Sequence, residues 1–70
     1  MRVRVSDPAL LRDLISYLRA AECVAEQASR DVVEAYVPKA RDERQARREL
    51  TVLLSSWRSM HEGVTADLVE

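Results

Sequence analysis

The sequence predicts an α+β fold in which a four-stranded antiparallel sheet carries two helices packed on one face. Three observations point there. The chain opens on residues that alternate polar and apolar, Arg2-Val3-Arg4-Val5-Ser6. Two later stretches space their leucines at the helical period, and between them lies a β-branched, aromatic run, Val32-Val33-Glu34-Ala35-Tyr36-Val37. Period two means a strand buried on one side only, and the helical period means a helix with one apolar stripe.

Each element follows in order. Asp7-Pro8 ends the first strand and starts a helix: Asp accepts hydrogen bonds from the free amides of a first turn, and Pro at the first helical position loses nothing. Leu10, Leu11, Leu14, Ile15, Leu18 and Ala21 then share one face at about 100° per residue, with Arg12, Ser16 and Arg19 opposite. Residues 22–28 read two ways. They extend the helical stripe through Ala25 and Ala28, or they form a strand in which Cys23, Ala25 and Gln27 alternate with Val24 and Glu26. The strand is preferred because the run Val32–Val37, closed by Pro38, needs a neighbour to pair with. The alternative is a three-stranded β-α-β-α-β form with a longer first helix. Asp42, with Gln45 three residues on, has the spacing of a capping box. From there Ala46, Leu50, Leu53, Leu54, Trp57, Met60 and His61 fall within about 80° of Leu50 on a helix of about 20 residues, roughly 30 Å long. Gly63, the single glycine, sits where a left-handed residue closes a helix. Val64 to Val69 alternates again and forms the last strand.

The 70 residues make one domain, and 47% of them are hydrophobic, so neither disorder nor a membrane protein is expected. No apolar run approaches the roughly 18 residues that span a bilayer, and the opening residues contain no apolar leader segment. A cytoplasmic, bacterial-type protein is the expectation. With no Phe, one Trp and two Tyr, the core must be built from Leu, Val, Ile and Ala. Ordering each residue costs about 1.5 kcal/mol, so a core this small gains by burying a further face against a partner. Trp57 lies about 20° from Leu50 on the second helix and is expected to anchor that core, with Val52 on the opposite side.

Little here supports catalysis. Cys23 and His61 are the only residues that can form a thiol–imidazole pair, and each reads more simply as a packed side chain. One cysteine with one histidine excludes an internal disulfide and an ordinary zinc site, and one glycine excludes a phosphate-cradling loop. No catalytic residue, metal or cofactor is expected. The basic groups offer a second theme. Residues 39–49 hold Lys39, Arg41, Arg44, Arg47 and Arg48 against Asp42, Glu43 and Glu49, although the whole chain carries a formal charge of −1. Arg44, Arg47, Arg48 and Arg58 fall along one flank of the second helix, where an anion or acidic partner would sit; the simpler reading is a solvated face with Glu43 and Arg47 paired. The overall charge argues against a general nucleic-acid binder.

The order β-α-β-β-α-β resembles the ferredoxin-like plait across nearly the whole chain. That resemblance implies both helices on one face of the sheet and an open opposite face; it implies no single activity. The RNA-binding version stacks bases on aromatics of its central strands, whereas those positions here hold Arg2, Arg4, Val32, Glu34 and Tyr36. Amino-acid-sensing domains that share the plait use a glycine-bearing loop after the first strand, and Ser6-Asp7-Pro8 has none. Met1 to Ala20 also resembles a ribbon-helix-helix repressor, which implies base-reading roles for Arg2, Arg4 and Ser6. That likeness stops there, leaving the long second helix and the last strand unexplained.

The open sheet face is the remaining candidate. With Val3, Val5, Val33, Ala35, Val37, Ala66 and Leu68 turned to the helices, it presents Arg2, Arg4, Val24, Glu26, Val32, Glu34, Tyr36, Thr65, Asp67 and Val69. Apolar groups mixed with both charge signs suit a protein surface. The expected function is a non-catalytic protein–protein interaction or small regulatory domain. It is expected to be homodimeric through sheet or helix surface, with neither nucleic acid nor membrane as partner. A ribbon-helix-helix repressor and a small-ligand sensor are the alternatives.

Overall fold

Alternation at the start of the chain becomes a strand with two different sides. Val3 and Val5 are fully buried while Arg2 and Arg4 are exposed. The computed structural model describes residues 1–69. Its elements are β1 (Arg2–Val5), one turn of 3-10 helix (Pro8–Leu10), α1 (Leu11–Ala20), β2 (Val24–Ser29), β3 (Val32–Tyr36), α2 (Glu43–Ser59) and β4 (Ala66–Val69). The four strands form one antiparallel sheet in the order β2-β3-β1-β4, an order compatible with the ferredoxin-like plait. The three-stranded alternative is overturned, because α1 stops at Ala20 and β2 pairs with β3 from Val24↔Tyr36 to Ser29↔Val32.

The helices begin as their polar residues dictate. Asp7 caps the 3-10 turn by accepting from the Ala9 amide at 3.0 Å. Asp42 caps α2 by accepting from the Gln45 amide at 2.9 Å. The reciprocal half of the capping box is displaced by one residue: Gln45 Oε1 accepts from the Arg41 amide at 3.1 Å rather than from Asp42. Leu11, Leu14 and Leu18 of α1 and Ala46, Leu50, Leu54 and Trp57 of α2 are buried against the side of the sheet that carries Val3, Val5, Ala25, Val33, Ala35 and Ala66. Residues that alternate with these in the strands are mostly exposed, so both helices cover one face. Val37 and Leu68 complete that side as half-buried groups.

The helix ends depart from expectation, each for a local reason. α2 closes at Ser59, not near Glu62, with Met60 as its C-cap, and its 17 residues span about 26 Å. Met60 is therefore 59% exposed instead of lying on the core stripe, and His61 belongs to the turn beyond the helix. Gly63 is left-handed at φ +82°, but as part of that turn and not next to the last helical residue. β4 accordingly starts at Ala66, two residues later than the alternation suggested. At the end of α1 the left-handed residue is Glu22, at φ +67°. Its amide donates to the Arg19 carbonyl and that of Cys23 to the Leu18 carbonyl, both at 3.0 Å. These two bonds are a Schellman closure, with buried Cys23 and Leu18 in the hydrophobic positions and glutamate where glycine usually sits.

Two outcomes follow. Glu22→Gly removes a side chain from the left-handed region and loses one exposed ion pair to Lys39, so stability should rise by about 0.5–1 kcal/mol; a urea midpoint that stays put or falls would contradict this. Trp57→Ala opens the largest hole the core can suffer, and about 3–5 kcal/mol is comparable with the whole stability of so small a domain. It should leave the chain largely unfolded by circular dichroism, whereas Val52→Ala, at a side chain 64% exposed, should change stability by under about 0.5–1 kcal/mol. A near-native melt for Trp57→Ala would overturn the assignment of Trp57 as anchor.

Candidate functional site

Strand register sorts the open face into rows. Val24 pairs with Tyr36 at one end; Glu26, Glu34, Arg2 and Val69 cross the middle; Val32, Arg4 and Asp67 form the next row. All the open-face residues predicted within the strands share this face. Thr65 precedes β4, where its amide and carbonyl bond Ser6 Oγ and the Ser6 amide, both at 2.9 Å. Val32 needs a correction: it points to the open side yet is only 7% exposed. It lines a depression with Arg2, Arg4, Ser29 and Val69, so it offers little surface to a partner. Val24 and Tyr36 stand 43% and 57% exposed.

Charge on this face is largely paired within the chain. Glu34 accepts from the Met1 amino group at 2.9 Å and from Arg2 Nε at 3.3 Å. Arg4 lies 3.9 Å from Asp31. Glu26 is set directly opposite Glu34, an unfavourable like-charge pair, and makes no ion pair among the described residues. The amino terminus, by hydrogen bond and charge, and after it Arg2, hold the Glu34 carboxyl below its ordinary range. A depressed carboxyl stabilises the fold above its unfolded value of about 4.3 and stops doing so as pH falls through its folded value. Glu34→Gln should therefore lower the urea midpoint at neutral pH, with the gap to wild type closing below about pH 4. A gap that persists unchanged in acid would contradict the pairing.

The arginine flank of α2 does not act as one patch. Arg58 is tied to Asp67 of β4 at 3.0 Å, and Arg47 lies 3.9 Å from Glu43 one turn earlier. Arg44 is exposed, and Arg48 faces a cleft between α2 and the α1–β2 turn. The ribbon-helix-helix reading of Arg2, Arg4 and Ser6 also loses its geometry. β1 is bonded on both edges, to β3 and β4, so no edge is left to pair with a second copy.

Cys23 and His61 are engaged separately. Burial, and after it the charge of Glu49, push the Cys23 thiol above its ordinary range, which leaves it protonated and a poor nucleophile. His61 stacks on Trp57 with ring centroids 4.1 Å apart. Its Nδ1 lies 2.8 Å from the Trp57 carbonyl oxygen and its Nε2 3.0 Å from Asp13 Oδ2. Both ring nitrogens face oxygens, so the imidazolium donates at both and the neutral ring at only one. The same Asp13 oxygen accepts from the Trp57 indole at 2.9 Å. This cluster fastens α1 to α2. Among the described residues, no group of three or more His, Cys, Asp or Glu is placed to hold a metal ion, and no helix is long and apolar enough to cross a membrane.

The cleft beside Arg48 is the feature that pattern reading missed. Its one signal in the sequence was Val52, an apolar residue on the polar side of α2. Comparison of the chain with protein families, curated proteins and solved structures gives no match.

Proposed function

We propose that this chain is a non-catalytic interaction domain of the cytoplasm, built on a ferredoxin-like plait, whose partner is a second copy of itself meeting through the open sheet face. The observation that carries this reading is the Val24–Tyr36 pair: two large apolar side chains, directly opposed across β2 and β3 and both substantially exposed. An exposed tyrosine beside a β-branched residue is the composition of an interface anchor.

Two further features favour a second copy in face-to-face contact. Arg2 and Glu34 are direct neighbours on the two central strands. A two-fold axis lying in the face between β1 and β3 therefore sets Arg2 of each copy over Glu34 of the other, so the charges are self-complementary. Edge-to-edge pairing through β2 is disfavoured, since that strand carries Glu26 and an irregularity between Gln27 and Ser29, both devices that blunt an edge.

Sedimentation velocity across micromolar concentrations tests the proposal. The wild type should sediment as a dimer and Tyr36→Asp as a folded monomer, while Val52→Ala on the helix side should leave the association intact. A wild type that stays at 8.0 kDa up to millimolar concentration would remove the reading.

A further inference from the structure

The two helices are joined at one end and parted at the other. Asp13, near the start of α1, holds Trp57 and His61 at the far end of α2. Where α1 stops, a cleft of about 390 Å³ opens between the α1–β2 turn and the middle of α2, a volume in the range of small-molecule sites. Cys23, Val37 and Leu53 give it an apolar interior, and Val52 stands at its rim.

Its charges are unevenly satisfied. The Lys39 ammonium is bound to Glu22 at 3.3 Å, which neutralises one wall. Arg48 also lines the cleft, but as an exposed residue on its solvent side. Glu49, by contrast, is half-buried, and among the described residues no hydrogen bond or ion pair reaches its carboxylate. Glu49 and Cys23 line the cleft together. The C-terminal end of α1, the negative end of its dipole, lies at the same place. A half-buried carboxylate beside apolar walls that makes no ion pair favours a cation that brings its own apolar body.

We propose that this cleft binds a small organic monocation, a primary ammonium carried on an apolar chain or ring, with Glu49 as its counter-ion and Cys23, Val37 and Leu53 around its apolar part. The site lies on the helix side of the sheet and does not depend on the open face, so it stands or falls separately from self-association.

Amide NMR shifts of the full chain, titrated with hexylammonium, hexanoate and hexanol, test this. Hexylammonium should shift the amides of residues 21–23 and 48–53 saturably, with a Kd at least about tenfold below those of the other two probes. Glu49→Gln should abolish that preference, and Arg48→Gln should leave it or sharpen it. Equal affinity for all three probes would show an undiscriminating apolar crevice and overturn the proposal. So would tighter binding of hexanoate, or the absence of saturable shifts at the cleft. The comparison of probes on the wild type decides the matter even if Glu49→Gln fails to fold.

Discussion

The indole of Trp57 is fully buried, yet its N–H ends 2.9 Å from Asp13 Oδ2, on a side chain 54% exposed. That geometry resolves the main difficulty of a core without phenylalanine. The largest apolar side chain must go inside, and its one polar atom must find an acceptor there, because an unpaired buried donor costs about 1–3 kcal/mol. Asp13 supplies the oxygen from the rim, so the carboxylate stays solvated while the indole does not. His61 stacks on the same ring and reaches the same oxygen, so the turn after α2 is held against the start of α1. The helix pair, the end of α2 and the filling of the core thus share one contact.

How legible all this was depended on whether the signal was periodic. Alternation in Arg2–Val5 and helical spacing from Leu11 to Leu18 and from Ala46 to Trp57 report burial directly, and the faces they assign are the faces observed. Conformational exceptions carry no such signal. Glu22 adopts the left-handed conformation usually marked by glycine, so nothing at that position announced the end of α1; the pairing needs of Val32–Tyr36 had to stand in for it. Gly63 did mark a left-handed residue, but a turn of several residues separates it from the helix, which moved Met60 and His61 off the stripe. Val32 was assigned to the correct face and is nevertheless covered, because burial on a sheet depends on neighbours across the strands as well as on parity. Asp13 carries no signal of its role, since a partner 44 positions away leaves no trace in local spacing.

The open face and the helix side present different chemistry for the same physical reason. On the open face, Glu34 draws in the amino terminus and Arg2, which offsets its like-charge opposition to Glu26 and leaves the apolar character to Val24 and Tyr36 at one end. Central charges there are neighbours of opposite sign, the arrangement that a copy turned on itself can match. On the helix side the charges near the cleft are unevenly paired: Lys39 is bound to Glu22, while Glu49, next to exposed Arg48, keeps a half-buried carboxylate without an ion pair among the described residues.

Side-chain size also differs between the two ends of the core. Toward the end of α2 the helices are separated by an indole and braced by an imidazole. Toward its start the buried residues are small: Ala46 on the helix, Ala25 and Ala35 paired in the strands, and Cys23 leading into them. Beside the cleft α1 is already over. Its last residue is Ala20, and the Schellman closure at Glu22 turns the chain sharply into β2. The cleft lies beside that turn, with half-buried Val37 and Leu53 in its walls and exposed Val52 at its rim. The chemistry of that cleft is set by the charged residues of α2 that line it, exposed Arg48 and half-buried Glu49, of which Glu49 makes no ion pair among the described residues.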